Sequence, residues 1–102
     1  MYKLKISKLA HIDLDKIVSY IAVNLTNPTA ATNFLDEMDK CYTNLKSNPF
    51  MYAKCKDKRL EKEGYRKVLI MNYVLLYKIN EASKIVNILR FFYGAQDYVE
   101  LI

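Results

Sequence analysis

The sequence predicts an α+β domain in which a pair of helices packs on one face of an antiparallel sheet. In the first half of the chain, apolar residues recur at spacings of three and four, which is typical of amphipathic helices. The second half contains three runs rich in β-branched and aromatic residues, separated by short polar links typical of hairpins. The 102 residues are long enough for one modest core, and a single domain over residues 1–102 is predicted.

The N-terminal half is predicted to form a strand and two helices. "YKLKI" alternates apolar and polar residues from Tyr2 to Ile6, which indicates a short strand with one buried face. Ser7 is a suitable N-cap for a first helix that runs to about Leu25. Asn27 and Pro28 then suit the start of a second helix, which ends at "SNP", residues 47–49. Because the link is short, the two helices are expected to form an antiparallel hairpin.

The C-terminal half is predicted to form a three-stranded antiparallel meander. Its strands are expected at 65–71, 73–79 and 85–93, and the third is apolar enough to be central. The polar, basic stretch 50–64 shows no clear period and is predicted to be a long loop. Gly94 is expected to break the last strand because glycine freely adopts unusual backbone angles. A short C-terminal helix is expected to follow it.

Composition argues against several classes of protein. No apolar run reaches the roughly 18 residues of a membrane span, and the N-terminus lacks the apolar region of a secretory signal, so a cytoplasmic location is expected. Cys41 and Cys55 lack metal-ligand spacing, and His11 is the one histidine, so neither a metal site nor a disulfide is expected. With two glycines there is no phosphate or dinucleotide loop, so no cofactor is expected. Any catalysis would depend on Arg, Lys and Tyr side chains.

Positive charge is concentrated in one segment. Between Lys54 and Lys67 there are seven of the sixteen basic residues, against three acidic ones. Such a segment suits a polyanion or an acidic protein partner. It is equally compatible with a solvated loop that binds nothing.

Two arginines are predicted to lie on apolar faces of the sheet. Alternation places Arg66 with Val68 and Ile70, and it places Arg90 with Ile88 and Phe92. A partly buried arginine needs a carboxylate, carbonyl or phosphate partner. For Arg90 an internal ion pair, with Asp97 or a helix acid, is favoured over a functional role. Arg66, at a strand start beside the basic segment, is the better functional candidate.

Several segments in fixed order resemble one protein family. They are "DLDKIVSYI" (13–21), "NP" (48–49), "GYRK" (64–67), "NYVLLYKI" (72–79) and "ILRFFYGAQDYVEL" (88–101). Together they are similar to the RelE/ParE superfamily of toxins from bacterial type II toxin–antitoxin modules. The resemblance implies a helical hairpin on a curved antiparallel sheet. It also implies a cognate antitoxin whose C-terminal segment wraps the toxin as it folds.

The resemblance implies one of two targets. One branch of the superfamily cuts mRNA on the ribosome with basic side chains and often a C-terminal tyrosine, whereas the ParE-like branch poisons DNA gyrase. Arg66 matches the phosphate-holding arginine of the cutting branch, but Gln96 replaces its second arginine, and Tyr98 is at a different spacing from its tyrosine. Arg66 and Tyr98 are the catalytic candidates if the chain cuts RNA. The ending favours a ParE-like gyrase poison; a ribosome-dependent endonuclease and a decayed toxin that still binds antitoxin are the alternatives.

One concave face is predicted to receive both antitoxin and target. Tyr93 and Tyr98 are expected to sit with Arg66 at its rim, beside the basic segment. Asp97 is expected to cap the last turn or to pair with Arg90. Arg90, Gly94 and Asp97 are assigned structural roles, and the residues predicted to contact a partner are Lys54, Lys56, Arg59, Arg66, Tyr93, Gln96 and Tyr98.

Overall fold

A computed structural model describes residues 1–94 of the chain and contains a four-stranded sheet with three α-helices. In chain order the elements are β1 (Lys3–Ile6), α1 (Lys8–Ser19), a π-helical turn (Tyr20–Asn24), α2 (Pro28–Ser47), a 3₁₀ turn (Pro49–Met51), α3 (Lys58–Lys62), β2 (Arg66–Ile70), β3 (Tyr73–Asn80) and β4 (Ile85–Tyr93). The strand order is β1-β4-β3-β2, so β4 is central as predicted. Within this part of the chain, no helix is both long and apolar enough to cross a membrane. The predicted C-terminal helix lies outside the described residues.

The two long helices begin at the predicted caps. The Ser7 Oγ accepts the Ala10 N–H at 3.0 Å, and the Asn27 Oδ1 accepts the Ala30 N–H at 3.1 Å. Each oxygen satisfies a backbone donor that the first helical turn leaves without an intrahelical partner. Pro28 is the first residue of α2. The predicted helical hairpin is confirmed in the starts of both helices, in the end of the second helix and in the short link between them.

The end of the first helix differs from the prediction because it widens into the π-helical turn. The Leu25 N–H donates to the Tyr20 carbonyl, five residues earlier, at 3.0 Å. One extra residue in a turn rotates everything after it around the helix axis. Leu25 is consequently 52% exposed instead of continuing the buried stripe that contains Ile17 and Ile21.

The sheet is mixed and not wholly antiparallel as expected, because β1 pairs in parallel with β4. A parallel pair needs a long crossover connection, and residues 7–84 supply one. Strands β2, β3 and β4 form the predicted antiparallel meander. The strand pairs predicted within the meander are therefore correct, whereas neither the partner nor the direction of the N-terminal strand was predicted.

Both faces of the sheet are covered. On the first face Phe34 and Leu45 of α2 pack with Leu75 and Tyr77 of β3 in the main core. On the second face a smaller cluster joins the buried Leu60 of α3 to the strands; its other buried members are Cys55, Val74, Leu76 and Phe92. We call these the helix face and the back face.

The prediction of a long loop over residues 50–64 is wrong. This segment contains a 3₁₀ turn, an isolated pairing of Lys54 with Arg66, and the short helix α3. The Asp57 carboxylate caps α3 by accepting the Leu60 N–H at 3.1 Å. Burial of Leu60 and Cys55 against the back face stabilises the segment, although its sequence has no helical period.

A β-bulge at Leu89 changes the face on which Arg90 lies. Leu76 pairs with Arg90 and Tyr77 pairs with Ile88, so Leu89 has no opposite residue on β3. Alternation after the bulge puts Arg90 and Phe92 on the back face, whereas Ile88 is on the helix face. The prediction that Arg90 shares a face with Ile88 is therefore wrong, and its grouping with Phe92 is correct.

Asp13 of α1 binds both the side chain of Arg90 and the backbone of β4. Its carboxylate oxygens lie 2.7 Å from Arg90 Nε and 3.1 Å from Arg90 Nη2, and the Phe91 N–H donates to it at 3.1 Å. We call this arrangement the Asp13 clamp. Of the two partners predicted for Arg90, the helix acid is the one present; Asp97 lies outside the described residues. The hydrogen bond from Arg90 to Asp13 raises the pKa of the guanidinium above its ordinary value.

Replacing the clamp carboxylate should destabilise the fold. Asp13→Asn removes the charge that Arg90 faces and weakens the acceptor for the Phe91 N–H. We expect a loss of about 2–3 kcal/mol in the free energy of unfolding and a fall in Tm of roughly 10 °C or more. Chemical and thermal denaturation measure both quantities. Asp15→Asn is the matched control, because Asp15 is exposed on the same helix; equal losses in the two variants would contradict a specific clamp.

Candidate functional site

A groove of about 630 Å³ opens at the end of the sheet where β3 begins and β4 ends. We call this the Asn72 end. The walls come from α1, the π-helical turn and the last residues of β4; the lining is predominantly apolar and consists of Asp13, Lys16, Ile17, Tyr20, Leu25, Asn72, Tyr73, Arg90, Phe91, Phe92 and Tyr93. The π-helical turn and the Asp13 clamp thus shape the same cavity.

A chain of aromatic rings runs from the core into this groove. Phe34 is fully buried and meets Tyr73 edge-to-face, with ring centroids 5.4 Å apart. Tyr73 in turn meets Tyr93 at 5.8 Å, and Tyr93 is half exposed. Edge-to-face pairs hold rings in fixed orientation. The groove therefore presents an aromatic surface that is continuous with the core.

Charge on the groove wall is mainly positive. Asp13 and Arg90 neutralise each other in the clamp, and the exposed Lys16 adds a further cation. The Arg90 guanidinium also lies 4.6 Å from the centroid of the Phe92 ring, which fixes its position. An apolar ligand with an acidic rim would be complementary to such a groove.

Gly94 is required at the edge of the groove by close approach and not by its backbone angles. Its N–H donates to the Asn72 carbonyl at 2.7 Å, and a Cβ at this position would lie 3.0 Å from that oxygen. Its φ is not in the left-handed region, unlike that of Gly64 at +86°. The predicted reason for Gly94 is therefore wrong, although the strand does end there.

Arg66 lies at the opposite end of the sheet, where β2, β4 and β1 begin. We call this the Lys84 end, after the residue that closes the β3–β4 turn. The Arg66 Nη1 donates to the Tyr52 carbonyl at 2.6 Å, and the guanidinium lies 5.3 Å from the centroid of the Phe50 ring. The predicted carbonyl partner is present. Lys54 pairs with Arg66 as an isolated bridge, so these two predicted site residues are neighbours.

The structure does not bring Arg66 and Tyr93 to one rim, so this prediction is wrong. Arg66 is level with Tyr77, whereas Tyr93 is level with Tyr73. Four residues along a strand separate these levels, which is roughly 14 Å. Because β2 and β4 run in the same direction in the meander, the start of β2 and the end of β4 lie at opposite ends of the sheet.

The basic segment is exposed, and its helix covers the back face. Lys54, Lys56 and Arg59 are all exposed, and Arg59 belongs to α3. Gln96, Tyr98 and Asp97 lie outside the described residues. The sequence analysis missed Tyr20, Tyr73 and Lys16 as groove residues. Tyr73 could have been recognised from its position, because it follows a predicted turn and Tyr93 directly precedes the predicted break at Gly94.

The groups around Arg66 are protonated at neutral pH. Burial raises the pKa of the Cys41 thiol to about 11, and it also raises the pKa of the Tyr52 and Tyr77 hydroxyls. General base catalysis needs a group that can accept a proton near the working pH. The Cys41, Tyr52 and Tyr77 side chains therefore keep their protons at neutral pH and do not act as general bases there.

The sequence matches one protein-family model over almost its full length. That family is described as the ParE toxin of the type II toxin–antitoxin system parDE, and the match covers residues 4–98. The chain belongs to the ParE toxin family. No curated protein sequence matches this ParE-family chain significantly.

Solved structures share the fold of this ParE toxin. The chromosomal ParDE toxin–antitoxin system from P. aeruginosa is 21% identical with a TM-score of 0.69, covering 91% of this chain and 96% of that chain. The toxin–antitoxin complex RelBE2 from Mycobacterium tuberculosis is 19% identical with a TM-score of 0.63, and the match covers 90% of this chain and 96% of that chain. YafQ from E. coli strain BL21(DE3) is 15% identical with a TM-score of 0.60, and the match covers 93% of this chain and 96% of that chain. At these identities the likeness concerns the fold, and the predicted RelE/ParE-like architecture is confirmed.

Stability should decrease in alkali because Cys41 is buried. Its pKa is raised from 9.0 to about 11, so the native state holds the proton more tightly than the unfolded state does. The associated stability is complete below pH 9 and is lost as pH rises from 9 to 11. Between pH 8 and pH 11 the wild type should lose roughly 2 kcal/mol more than Cys41→Ala, measured by urea denaturation. Parallel curves for the two proteins would contradict the assignment.

Proposed function

We propose that this ParE toxin inhibits growth by binding DNA gyrase, without bond-breaking chemistry of its own, and that a small antitoxin neutralises it. Family membership supports the toxin role. The observation that supports the mode of action is that the Tyr52 and Tyr77 hydroxyls next to Arg66 keep their protons at neutral pH, because burial raises the pKa of both. An arginine whose neighbouring hydroxyls do not accept a proton is better suited to hold a target than to cut it.

The groove is the proposed seat of the antitoxin. Its volume and aromatic lining suit apolar side chains of an amphipathic segment, which is how helices dock into grooves. Tyr20 and Tyr93 are both about half exposed, so a partner can bury them on binding. Tyrosines of this kind are frequent anchor residues at protein interfaces. The similar structures from P. aeruginosa and M. tuberculosis are themselves described as toxin–antitoxin assemblies.

Charge supports an acidic partner for the same groove. The chain has a net charge of +5, and Lys16 is exposed beside the apolar lining. Complementary charge speeds association and orients the bound segment. The antitoxin is therefore expected to place apolar residues on the groove floor and carboxylates near Lys16.

A ribosome-dependent endonuclease is the second candidate, because Arg66 has the position of a phosphate-holding arginine. Among residues 1–94 the ion pairs are Lys40–Glu37 and Arg90–Asp13, so Arg66 faces no carboxylate there. An arginine held by a carbonyl and a ring keeps donors for a phosphate. Cleavage would need a base from elsewhere, either Tyr98 or the ribosome.

Truncation of the groove anchor should weaken the antitoxin complex. Tyr93→Ala removes a half-exposed ring that is supported by Tyr73 but leaves both cores unchanged. For the protein encoded beside this chain, we expect the dissociation constant to rise about 10- to 100-fold, measured by calorimetry. Leu9→Ala is the control, since Leu9 is similarly exposed but does not line the groove. Equal affinities of Tyr93→Ala and wild type would place the antitoxin elsewhere.

Purified toxin should block DNA supercoiling by gyrase, and added antitoxin should restore it. The expected half-inhibition is at a toxin concentration comparable to that of gyrase if binding is tight. Induced cells should also show the DNA-damage response. Normal supercoiling at saturating toxin, together with cuts in ribosome-bound mRNA by primer extension, would replace this proposal with the endonuclease. If induced cells grow normally, the remaining interpretation is a decayed toxin that binds an antitoxin but does not inhibit growth.

A further inference from the structure

Backbone strain and exposed apolar surface coincide where the π-helical turn joins α1 to α2. The Leu25 N–H donates to the Tyr20 carbonyl, five residues earlier, at 3.0 Å. The Asn27 N–H donates to the Ile21 carbonyl, six residues earlier, at 3.2 Å. Both hydrogen bonds span more residues than the four of an α-helix. Turns of this kind are rare and are frequent at functional sites, so this one is a candidate for a role beyond linking two helices.

Thr26 closes the turn in a conformation that threonine rarely adopts. Its φ is +46°, which is in the left-handed region. In that region the Cβ of an L-residue crowds the backbone, and the branched Cβ of threonine increases the crowding. The Thr26 N–H donates to the Val23 carbonyl at 3.1 Å and so holds the residue in place. Strain of this kind persists only where the surrounding structure compensates for it, and it is concentrated at ligand clamps and switch regions.

The same segment leaves large apolar side chains in solvent. Tyr20 is 48% exposed, Val23 is 69% exposed and Leu25 is 52% exposed, whereas Ile21 between them is buried. Burial of apolar surface is the main favourable term in folding, so this exposure is unfavourable for the free toxin. A partner that covers these side chains would compensate for both the exposure and the strain at Thr26.

An ordinary α-helical turn would place Leu25 differently. Its N–H would donate to the Ile21 carbonyl, four residues earlier, and its side chain would come into line with Ile17 and Ile21. Ile17 and Ile21 both belong to the main core. The chain therefore has two arrangements available here. The α-helical one turns Leu25 toward the buried stripe, and the π-helical one puts it on the wall of the groove.

We propose that this turn exchanges between the two arrangements and that the antitoxin selects the π-helical one. The inference rests on the proposed function, because Tyr20 and Leu25 line the groove proposed as the seat of the antitoxin. The strain at Thr26 keeps the two arrangements close in free energy. Thr26 is outside the lining of the groove, so it is a positioning residue that acts through Leu25.

The population of the π-helical turn then sets the apparent affinity for the antitoxin. The apparent dissociation constant is the intrinsic one divided by the fraction of toxin in the binding-competent form. A substitution that relieves the strain at residue 26 raises this fraction and tightens binding. It does so without adding a contact to the antitoxin.

Thr26→Asn and Thr26→Gly test the positioning role, since asparagine and glycine adopt left-handed angles more readily than threonine does. Both variants should bind the protein encoded beside this chain about 3-fold more tightly than the wild type, measured by calorimetry at physiological salt. Thr26→Val keeps the branched Cβ and should bind no more tightly than the wild type.

Lys84→Asn is the matched control, because Lys84 has a φ of +56° in the β3–β4 turn, at the opposite end of the sheet from the groove. It relieves the same kind of strain, so its Tm should rise as that of Thr26→Asn does. Its affinity for the antitoxin should equal that of the wild type, since physiological salt screens the effect of a distant surface charge. A gain in affinity that is confined to residue 26 cannot come from higher stability alone.

Methyl relaxation dispersion by NMR tests the two arrangements in the free toxin. The Leu25 methyl groups should show exchange on the microsecond-to-millisecond timescale, and Thr26→Gly should reduce it. The methyl groups of Val86, which is fully buried in the central strand, are the reference and should show none.

The inference is overturned if the Leu25 methyl groups of the wild type show no exchange, or if Thr26→Asn and Thr26→Gly both bind as the wild type does. It is also overturned if Lys84→Asn tightens binding equally. Failure of the groove as the seat of the antitoxin gives a different result. Tyr93→Ala would then bind as the wild type does, while exchange at Leu25 would still support the two arrangements of the turn.

Discussion

The Asp13 carboxylate is the contact on which the arrangement of this toxin depends. Strand β1 ends at Ile6, so the outer edge of β4 continues beyond its neighbour. An open edge exposes backbone donors that need partners. At this edge α1 takes the place of a strand: Ser7 Oγ donates to the Leu89 carbonyl at 2.7 Å, and Asp13 accepts the Phe91 N–H. The bulge at Leu89 turns Arg90 so that its side chain reaches the same carboxylate. The Asp13 carboxylate thus links the position of α1, the register of β4 and the wall of the groove.

The two ends of the sheet differ in physical character, and the difference is consistent with a protein that acts by binding. The Asn72 end offers an apolar, aromatic groove, while the Lys84 end offers two neighbouring aromatic rings, each with a cation over it. The buried Cys41 thiol and Tyr77 hydroxyl keep their protons, because burial disfavours their charged forms.

Local signals were sufficient for most of the fold and insufficient for the site. Ser7, Asn27 and Pro28 marked helix starts because capping is a local interaction. Alternation marked β1, and runs of β-branched and aromatic residues marked the other strands. The π-helical turn after Ser19 and the bulge at Leu89 have no local signal, since each depends on a contact with a distant element. Those two irregularities move Leu25 into the groove and Arg90 onto the back face. The predicted rim failed for a different reason: it overlooked that the first and third strands of the predicted meander run in the same direction, which puts Arg66 and Tyr93 at opposite ends of the sheet.

Hydrogen exchange at the Phe91 amide, followed by NMR, tests most directly whether Asp13 replaces a strand at the edge of β4. The account predicts that this amide exchanges as slowly as amides paired within the sheet. The Leu69 amide is the reference. The Lys67 N–H donates to the Ala53 carbonyl, on the side of β2 that faces away from β3. By alternation the Leu69 N–H lies on the same, open edge of β2. In Asp13→Asn the Phe91 amide should exchange much faster while amides in the centre of β3 keep their order of protection. Exchange of Phe91 at the rate of Leu69 in the wild type would contradict the account.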